Sequence, residues 1–403
     1  MEKRAASGNE WQAPPQPDPV PAILEYRDQL ARRGIKLLVV PVPVKASIHP
    51  ERLSPRYSAG GGAVHNPSWE QFLERLEAAR VRVFDPTPLL LEAAAETGEQ
   101  HYLATDTHWT PRAADLVAER LSKTVRRMVA LSKKNRVRYS SRESTISSSG
   151  DLIEMLELPT LHPAQTVYPG VVTKPSGKPW KAGRTAEVLL LGDSFANIYS
   201  QEGLGWGAGA GLAQRLSYHL RRPVDAVIRN DDGAFATRLL LSQEVQHGKD
   251  RLGATKVLIW EFTARELSFG DWRSVSLESS AVDDQSFFAP QQGTAIVVEG
   301  TVAALADVPN PRTAPYPNFI IGMHLVDLTS DGDLDGDQAL VFTWAMRKRQ
   351  LTAGADYQIG QRLRLELRPW ADVAEDLVSV TRGELYENNL FMQPPCWGVE
   401  VVE

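Results

Sequence analysis

Ser194 closes the stretch "VLLLGDS", in which four consecutive apolar residues run straight into Gly192, Asp193 and Ser194. Such a run predicts a parallel strand buried on both faces. A serine on the tight turn beyond it stands at the carboxyl edge of the sheet, where open α/β sheets place their sites. A hydroxyl is too weakly acidic to attack an ester unaided; it needs a base within hydrogen-bond reach and a third group that orients the base. The segment "ATDTHWTP" (104–111) supplies both types. Asp106 and His108 are two apart, so in an extended segment both side chains point to one side. The carboxylate then holds one imidazole nitrogen while the other faces the serine. These residues predict a triad of Ser194, His108 and Asp106 for acyl-transfer or ester-cleaving chemistry. The competing reading makes Asp193–Ser194 no more than the cap of the following helix.

Other candidate chemistry falls away. Asp-x-His is also half of a metal site, but no second His, Asp or Glu cluster at ligand spacing accompanies it, so no metal is expected. The other histidines, such as His49, His162 and His324, read as surface or core. "GWGAGA" (205–210) matches a dinucleotide fingerprint as letters, with Asp225 at a suitable distance, yet it does not directly follow a strand as a pyrophosphate loop must. "DGDLDGD" (331–337) imitates the start of a calcium loop, but Phe342 stands at the twelfth position where a bidentate Glu is needed, and a hairpin turn is expected. The single Cys396 can form neither an internal disulfide nor a cysteine cage. No cofactor is called for.

The elements that must position the triad read as a doubly wound α/β domain. A helix over 21–33 uses Ile23, Tyr26 and Leu30, and "IKLLVVPVPVK" (35–45) follows as a buried strand whose prolines mark an exit at an edge of the fold. Ser68 caps a helix carrying Trp69, Phe72, Leu73 and Leu76; "VRVFD" (81–85) is a second strand, and Thr87–Pro88 opens another helix. Thr110–Pro111 starts a helix with Ala113, Leu116, Val117, Leu121, Val125 and Met128 on one side. Charged, Ser-rich and then Pro-rich sequence over about 130–185 reads as a mobile surface insertion. The sheet resumes at "EVLLLGDSF", a glycine-alternating loop (203–211) leads into "LAQRLSYHL", and "VDAVIRN" (224–230) and "KVLIWEF" (256–262) complete the strands. Alternating strands and helices at this spacing mean a parallel sheet. Beyond about 275 the pattern switches to period two, predicting a separate all-β domain, an OB-like barrel or a sandwich. The expected organisation is a flexible lead-in over 1–19, an α/β domain over 20–274 and a β-rich domain over 275–403.

Bulk properties agree with a globular protein: 403 residues, 42% hydrophobic, 23% charged and a net charge of −6. That mild acidity argues against nucleic acid as a partner, and the β-rich part shows no basic stripe interleaved with aromatics. No stretch reaches the ~18–20 apolar residues of a membrane span, and the polar, proline-rich start shows no signal-peptide or anchor pattern.

"TDTHWTP" and "LLLGDSF", in that order and about eighty residues apart, resemble the SGNH-hydrolase-like domain of the alginate O-acetyltransferase (AlgX/AlgJ-like) family. "GIKLLVVPVPVKASIHPERL", "GDLIEMLELP" and "KVLIWEFTARELS" fit the same pattern, and the resemblance covers roughly residues 20–270. It implies a flavodoxin-like sheet and acetyl transfer to hydroxyls of an extracytoplasmic polysaccharide through an acetyl-serine. Ser194 would be the nucleophile, His108 the base and then acid, and Asp106 the orienter. Backbone N–H groups of Ser194 and Gly233 would form the oxyanion hole. Trp109 and Arg265 are the candidate substrate contacts, against a packing role for Trp109 and a structural ion pair of Arg265 with Glu261. The resemblance also implies an acetyl donor, a membrane-bound O-acyltransferase as partner and a periplasmic location. The competing functions are a carbohydrate acetylesterase with the same triad and an inactive polysaccharide-binding scaffold, whose β domain would hold glycan through Trp344 or Trp370.

Overall fold

The computed structural model describes residues 16–401 apart from 59, 157–163, 231–232, 247–250, 279–286, 313, 315, 378–379, 386–389 and 391–392. Residues 1–15 of the expected lead-in and His162 lie outside that set. The chain divides into two compact units, Met1–Ser279 and Ser280–Glu403.

The first unit opens with α1 (Pro19–Arg32), capped by Asp18, whose carboxylate accepts from the Val20 N–H at 3.0 Å. Next come β1 (Lys36–Val42), the single turn α2 (Lys45–Ile48), α3 (Trp69–Ala78), the two-residue β2 (Arg82–Val83), α4 (Thr87–Thr97) and α5 (Pro111–Met128). α5 begins where Thr110–Pro111 predict, with the Thr110 hydroxyl accepting from the Ala113 N–H and Val117, Leu121 and Val125 fully buried.

The expected loop-like insertion is instead built structure. It holds β3 (Ser140–Glu143), β4 (Ile146–Ser148), α6 (Asp151–Met155), β5 (Gln165–Val167) and β6 (Gly170–Thr173); β3 pairs antiparallel with β6, and β4 with β5. Strands this short and polar carry no readable period, and a distant segment seats them. Gly205, Gly207 and Gly209 all have positive φ. A Cβ on Gly207 would lie 2.1 Å from Ile146 Cδ1, and one on Gly209 3.0 Å from Val171 Cγ1. Glycine alternates there because the backbone must turn left-handed while the two small sheets press on it.

The chain returns through β7 (Val188–Gly192), α7 (Ser194–Asn197), α8 (Leu212–Leu220), β8 (Asp225–Ile228), α9 (Gly233–Gln246), β9 (Val257–Thr263) and α10 (Glu266–Phe269). Five strands form one parallel sheet in the order β2-β1-β9-β7-β8. Counted cyclically from β7, this is the doubly wound order 2-1-3-4-5, so the chain enters a flavodoxin-like sheet part-way round. Alternate strand residues face opposite helical layers. Leu38, Val40, Leu190 and Ile259 pack with α4, α5 and α8; Leu37, Val39, Leu189 and Trp260 pack with α1, α3 and α9.

β1 corrects one expectation. It lies inside the sheet, paired with β9 along its whole length and with β2 at Leu38 and Val39. Val39 O accepts from Phe84 N, so Pro41, of the same parity, faces the β2 side just where that strand has ended. The missing N–H costs no ladder bond.

The second unit contains β10 (Ile296–Leu305), β11 (Phe319–Thr329), β12 (Ala339–Arg347), β13 (Gln350–Leu351), β14 (Arg362–Pro369), β15 (Thr381–Gly383) and β16 (Pro395–Glu400). β10 pairs with β11, β11 with β12, β12 with β16, β16 with β14 and β14 with β10. That ring is a closed five-stranded barrel of the OB kind, with Val298, Met323, Val341 and Leu365 inside it. "DGDLDGD" falls in the connection between the antiparallel β11 and β12. Trp344 and Trp370 are half-buried in a cluster with Phe342 and Trp397, and Arg382 lies over the Phe342 and Trp370 rings. Packing therefore accounts for both tryptophans. Among the described residues no helix is long and apolar enough to cross a membrane.

Candidate active site

β7 delivers Gly192, Asp193 and Ser194 to the carboxyl edge between β9 and β8. Gly192 is required there: a Cβ would lie 2.6 Å from Ala196 Cβ and 2.9 Å from Glu261 Oε2. The structure places the capping role at this turn on one residue. Asp193 is the cap, its Oδ1 accepting from the Phe195 N–H at 2.8 Å while Oδ2 accepts from Thr263 N at 2.7 Å and from the Thr263 hydroxyl. Ser194 is left free for other work. Its Oγ lies 2.8 Å from His108 Nε2, and His108 Nδ1 lies 2.7 Å from Asp106 Oδ1. All three side chains are buried.

The loop carrying His108 is not extended as expected. It bends, and Asp106 Oδ1 accepts the His108 backbone N–H at 2.9 Å as well as the ring N–H. An Asx turn thus puts base and orienter on one side by a different route. Lys45 pins the loop from β1's end, its ammonium donating to the carbonyls of Leu103 at 2.6 Å and of Ala104 and Asp106 at 3.0 Å. Trp109 is fully buried; its indole donates to Phe195 O at 3.0 Å and its ring meets Phe195 edge-on. That overturns the substrate-contact reading of Trp109, because no face of the ring is left for a ligand.

Two further residues complete the polar cluster, and the linear sequence hides both. Trp206, inside the discarded "GWGAGA" run, donates its indole N–H to Asp106 Oδ2 at 2.7 Å. Asp151, inside the insertion, accepts from Thr107 N at 2.7 Å and from Thr107 Oγ1 at 2.5 Å. Its own N–H donates to Asp106 Oδ2 at 3.1 Å, and its Oδ2 lies 3.8 Å from His108 Nδ1. Gly150 makes this approach possible: φ is +72°, and a Cβ would sit 2.4 Å from Thr105 O. The sequence signals were the glycines at 150 and in the alternating loop and, for Asp151, the segment "GDLIEMLELP" that fits the family pattern. Asp106, His108 and Asp151 do gather ligand atoms within 4.8 Å of one another. Both carboxylates also accept protein N–H or O–H groups, so the same three side chains form a closed hydrogen-bond network.

The electrostatics follow from these contacts. Burial works to raise the Asp106 pKa, but the bonds and charge of His108 and the Trp206 N–H outweigh it and hold it at about 2. Burial works to lower the His108 pKa, yet the bond to Asp106 and the charges of Asp106 and Asp151 leave it raised, with Arg265 opposing. Burial and the Asp106 charge raise Asp151.

Arg265 and Glu261 form no ion pair among the described residues, which corrects the expectation for them. Glu261 is completely buried, and burial followed by the Asp193 charge raises its pKa well above the ordinary value. Its Oε2 accepts from the Asp193 N–H at 3.0 Å, bracing the serine turn. Arg265 is exposed, close enough for its charge to act on His108. Gly233 opens α9 directly against the turn, where a Cβ would meet Asp193 Cβ at 2.3 Å. Beside Thr107 lies a cavity of about 430 Å³ lined by Lys45, His49, Arg52, Tyr102 and Leu152 among others.

A doubly wound sheet whose strand ends in Gly-Asp-Ser, joined to a hydrogen-bonded Ser–His–Asp chain, defines an SGNH-hydrolase-like domain. The family described as "SGNH hydrolase-like domain, acetyltransferase AlgX" matches residues 5–264, and the chain belongs to that family. A "Probable alginate O-acetylase AlgJ" of Pseudomonas aeruginosa is 30% identical over 259 residues, covering 59% of this chain and 61% of the relative. That of Pseudomonas putida is 27% identical over 246 residues, covering 60% and 61%. The match therefore spans about three fifths of those relatives' length. Among solved structures, the O-acetyltransferase domain of Pseudomonas putida AlgJ aligns at 22% identity with a TM-score of 0.47, covering 62% of this chain and 83% of that one. Pseudomonas aeruginosa AlgX aligns at 18% identity with a TM-score of 0.49, covering 91% and 86%.

Proposed function

We propose that this protein is an O-acetyltransferase that moves acetyl groups onto hydroxyls of an extracytoplasmic polysaccharide, with alginate the acceptor its relatives' names suggest. The observation that carries the reading is the unbroken chain Ser194 Oγ–His108 Nε2–His108 Nδ1–Asp106, buried and in register in a chain of the AlgX family. His108 Nε2 takes the Ser194 proton as Oγ attacks the acetyl carbonyl of the donor. Asp106 stabilises the imidazolium that forms, and backbone N–H groups of Ser194 and Gly233 take the oxyanion. A donor so placed is worth about 3–4 kcal/mol to the transition state. The imidazolium returns its proton to the leaving oxygen, which leaves acetyl on Ser194. An acceptor hydroxyl, deprotonated by the same nitrogen, then attacks the acetyl-serine, and Ser194 recovers its proton. Arg265 at the mouth of the site is a substrate contact in this reading. The barrel holds polysaccharide, and a membrane-bound O-acyltransferase supplies acetyl groups on the outer side of the membrane.

The test is incubation of the purified protein with an acetyl-donor ester and a panel of oligosaccharides. Acetylated sugar is the expected product, and Ser194→Ala should lower donor turnover by about a thousandfold or more. Acetate without any acetylated sugar would make the protein an acetylesterase. Unchanged turnover in Ser194→Ala would remove the triad.

A further inference from the structure

We propose that the amino edge of the α/β unit's sheet is a docking face for an anionic phospholipid surface, set at the opposite pole from Ser194. The chain carries a net charge of −6, yet between Arg120 and Arg142 it holds nine Lys or Arg residues and no Asp or Glu. Some belong to the last turns of α5 and the rest to the segment that leads into β3.

The fold gathers more cations at the same end. Val137 N donates to Arg221 O at 2.9 Å, and the Arg126 guanidinium donates to His219 O at 2.6 Å, which joins this segment to the end of α8. Ser140 pairs with Thr173, and Lys174 N donates to Lys178 O at 2.9 Å, which brings the tip of the β6 hairpin alongside. Lys133, Lys134, Arg136, Arg138, Lys178 and Arg221 are exposed, and among the described residues they form no ion pair. The nearby acid Glu187 is committed to Lys256 at 2.7 Å and to the Ser132 N–H at 3.0 Å. The positive charges of Arg136 and Arg126 both act on Arg222, so the cluster is dense enough for its members to influence one another.

Position selects the partner. α5 starts three residues beyond His108 and runs back along the strands to Met128, whose carbonyl accepts from Lys36 at the first residue of β1. Eighteen helical residues span about 27 Å, so the cations stand a full helix away from the triad. A polymer being acetylated must reach Ser194, and charges at the far pole do nothing to present it. A broad face built from three separate segments suits a plane of phosphate headgroups, and docking there leaves the catalytic edge turned outward.

The experiment is co-sedimentation of the full chain with vesicles of phosphatidylglycerol or of phosphatidylcholine. The protein is expected to pellet with phosphatidylglycerol at low salt, to be released at high salt and to ignore phosphatidylcholine. The variant K133E/K134E/R136E/R138E should weaken that binding by about tenfold or more while turning over donor ester as before. K174E/K178E, on a different hairpin, gives the same reading should the first variant fail to fold. Absence of binding to phosphatidylglycerol, or full binding by a folded variant, overturns the proposal. So does binding to soluble dextran sulfate without binding to vesicles, which would assign the face to a polymer.

Discussion

Ser194, His108 and Asp106 are aligned by single contacts of 2.7–2.8 Å, and the carboxylates around His108 set its working range. Because its pKa is raised above 6.5, the neutral base is lost as pH falls through a value higher than that of a free imidazole. Donor-ester kcat/KM should therefore decline on the acid side with an apparent pKa above 6.5. Asp151→Asn removes a negative charge that favours the imidazolium, so the acid limb should move to lower pH. A pH–rate profile of both proteins checks this, and coincident limbs would mean that Asp151 serves only to hold Thr107. Asp106 and His108 were legible as a pair because they are neighbours in sequence. Asp151 and Trp206 were not, since nothing local marks a carboxylate or an indole as aimed at a residue far away in the chain.

At the scale of elements, the insertion is what the sequence pattern described least well. Its strands are three or four residues of mixed polarity, below the length at which period two can be seen, and tertiary contact alone organises them. Gly150 is the joint between that insertion and the triad. Gly34 has the same φ of +72° but nothing within 4 Å of its Cβ position, which makes it the matched control. Gly34→Ala should cost about 1–2 kcal/mol of backbone strain and leave turnover unaltered. Gly150→Ala adds a clash with Thr105 O and Asp106 Cβ, so it should cost on the order of 3 kcal/mol and cut kcat severely. Thermal melts and donor-ester kinetics on the two variants separate strain from misalignment. The long helices behaved differently: α3 and α5 bury nearly the residues their periodicity picks out, because an amphipathic stripe is written in local spacing.

In the whole molecule, each unit carries its own apolar interior, and every member of the triad belongs to the first. Leu365 is fully buried in the barrel. Leu365→Ala should destabilise the barrel by about 2–5 kcal/mol while leaving hydrolysis of a small donor ester by the first unit intact. Calorimetry alongside the ester assay would show it; a matching loss of ester turnover would mean that the site depends on the barrel. The barrel also separates what pattern can decide from what it cannot. Alternation in "TAIVVEGTVAAL" and "QRLRLELRPW" announces strands, but barrel and sandwich share that alternation. The parallel pairing of β12 with β16 closes the ring, and pairing is a long-range choice.

By itself the sequence determined the α/β class, the helical faces, the strand and turn that carry Ser194, and the Asp-x-His segment, since all of these are short-range patterns of polarity and turn chemistry. Only the tertiary structure decided that β9 sits at the centre of the sheet, that Glu261 braces the serine turn from complete burial, and that Trp206 and Asp151 close on Asp106. Those outcomes depend on which surfaces meet when the hydrophobic layers pack, and on whether a buried charge finds a partner there, neither of which is written in local spacing.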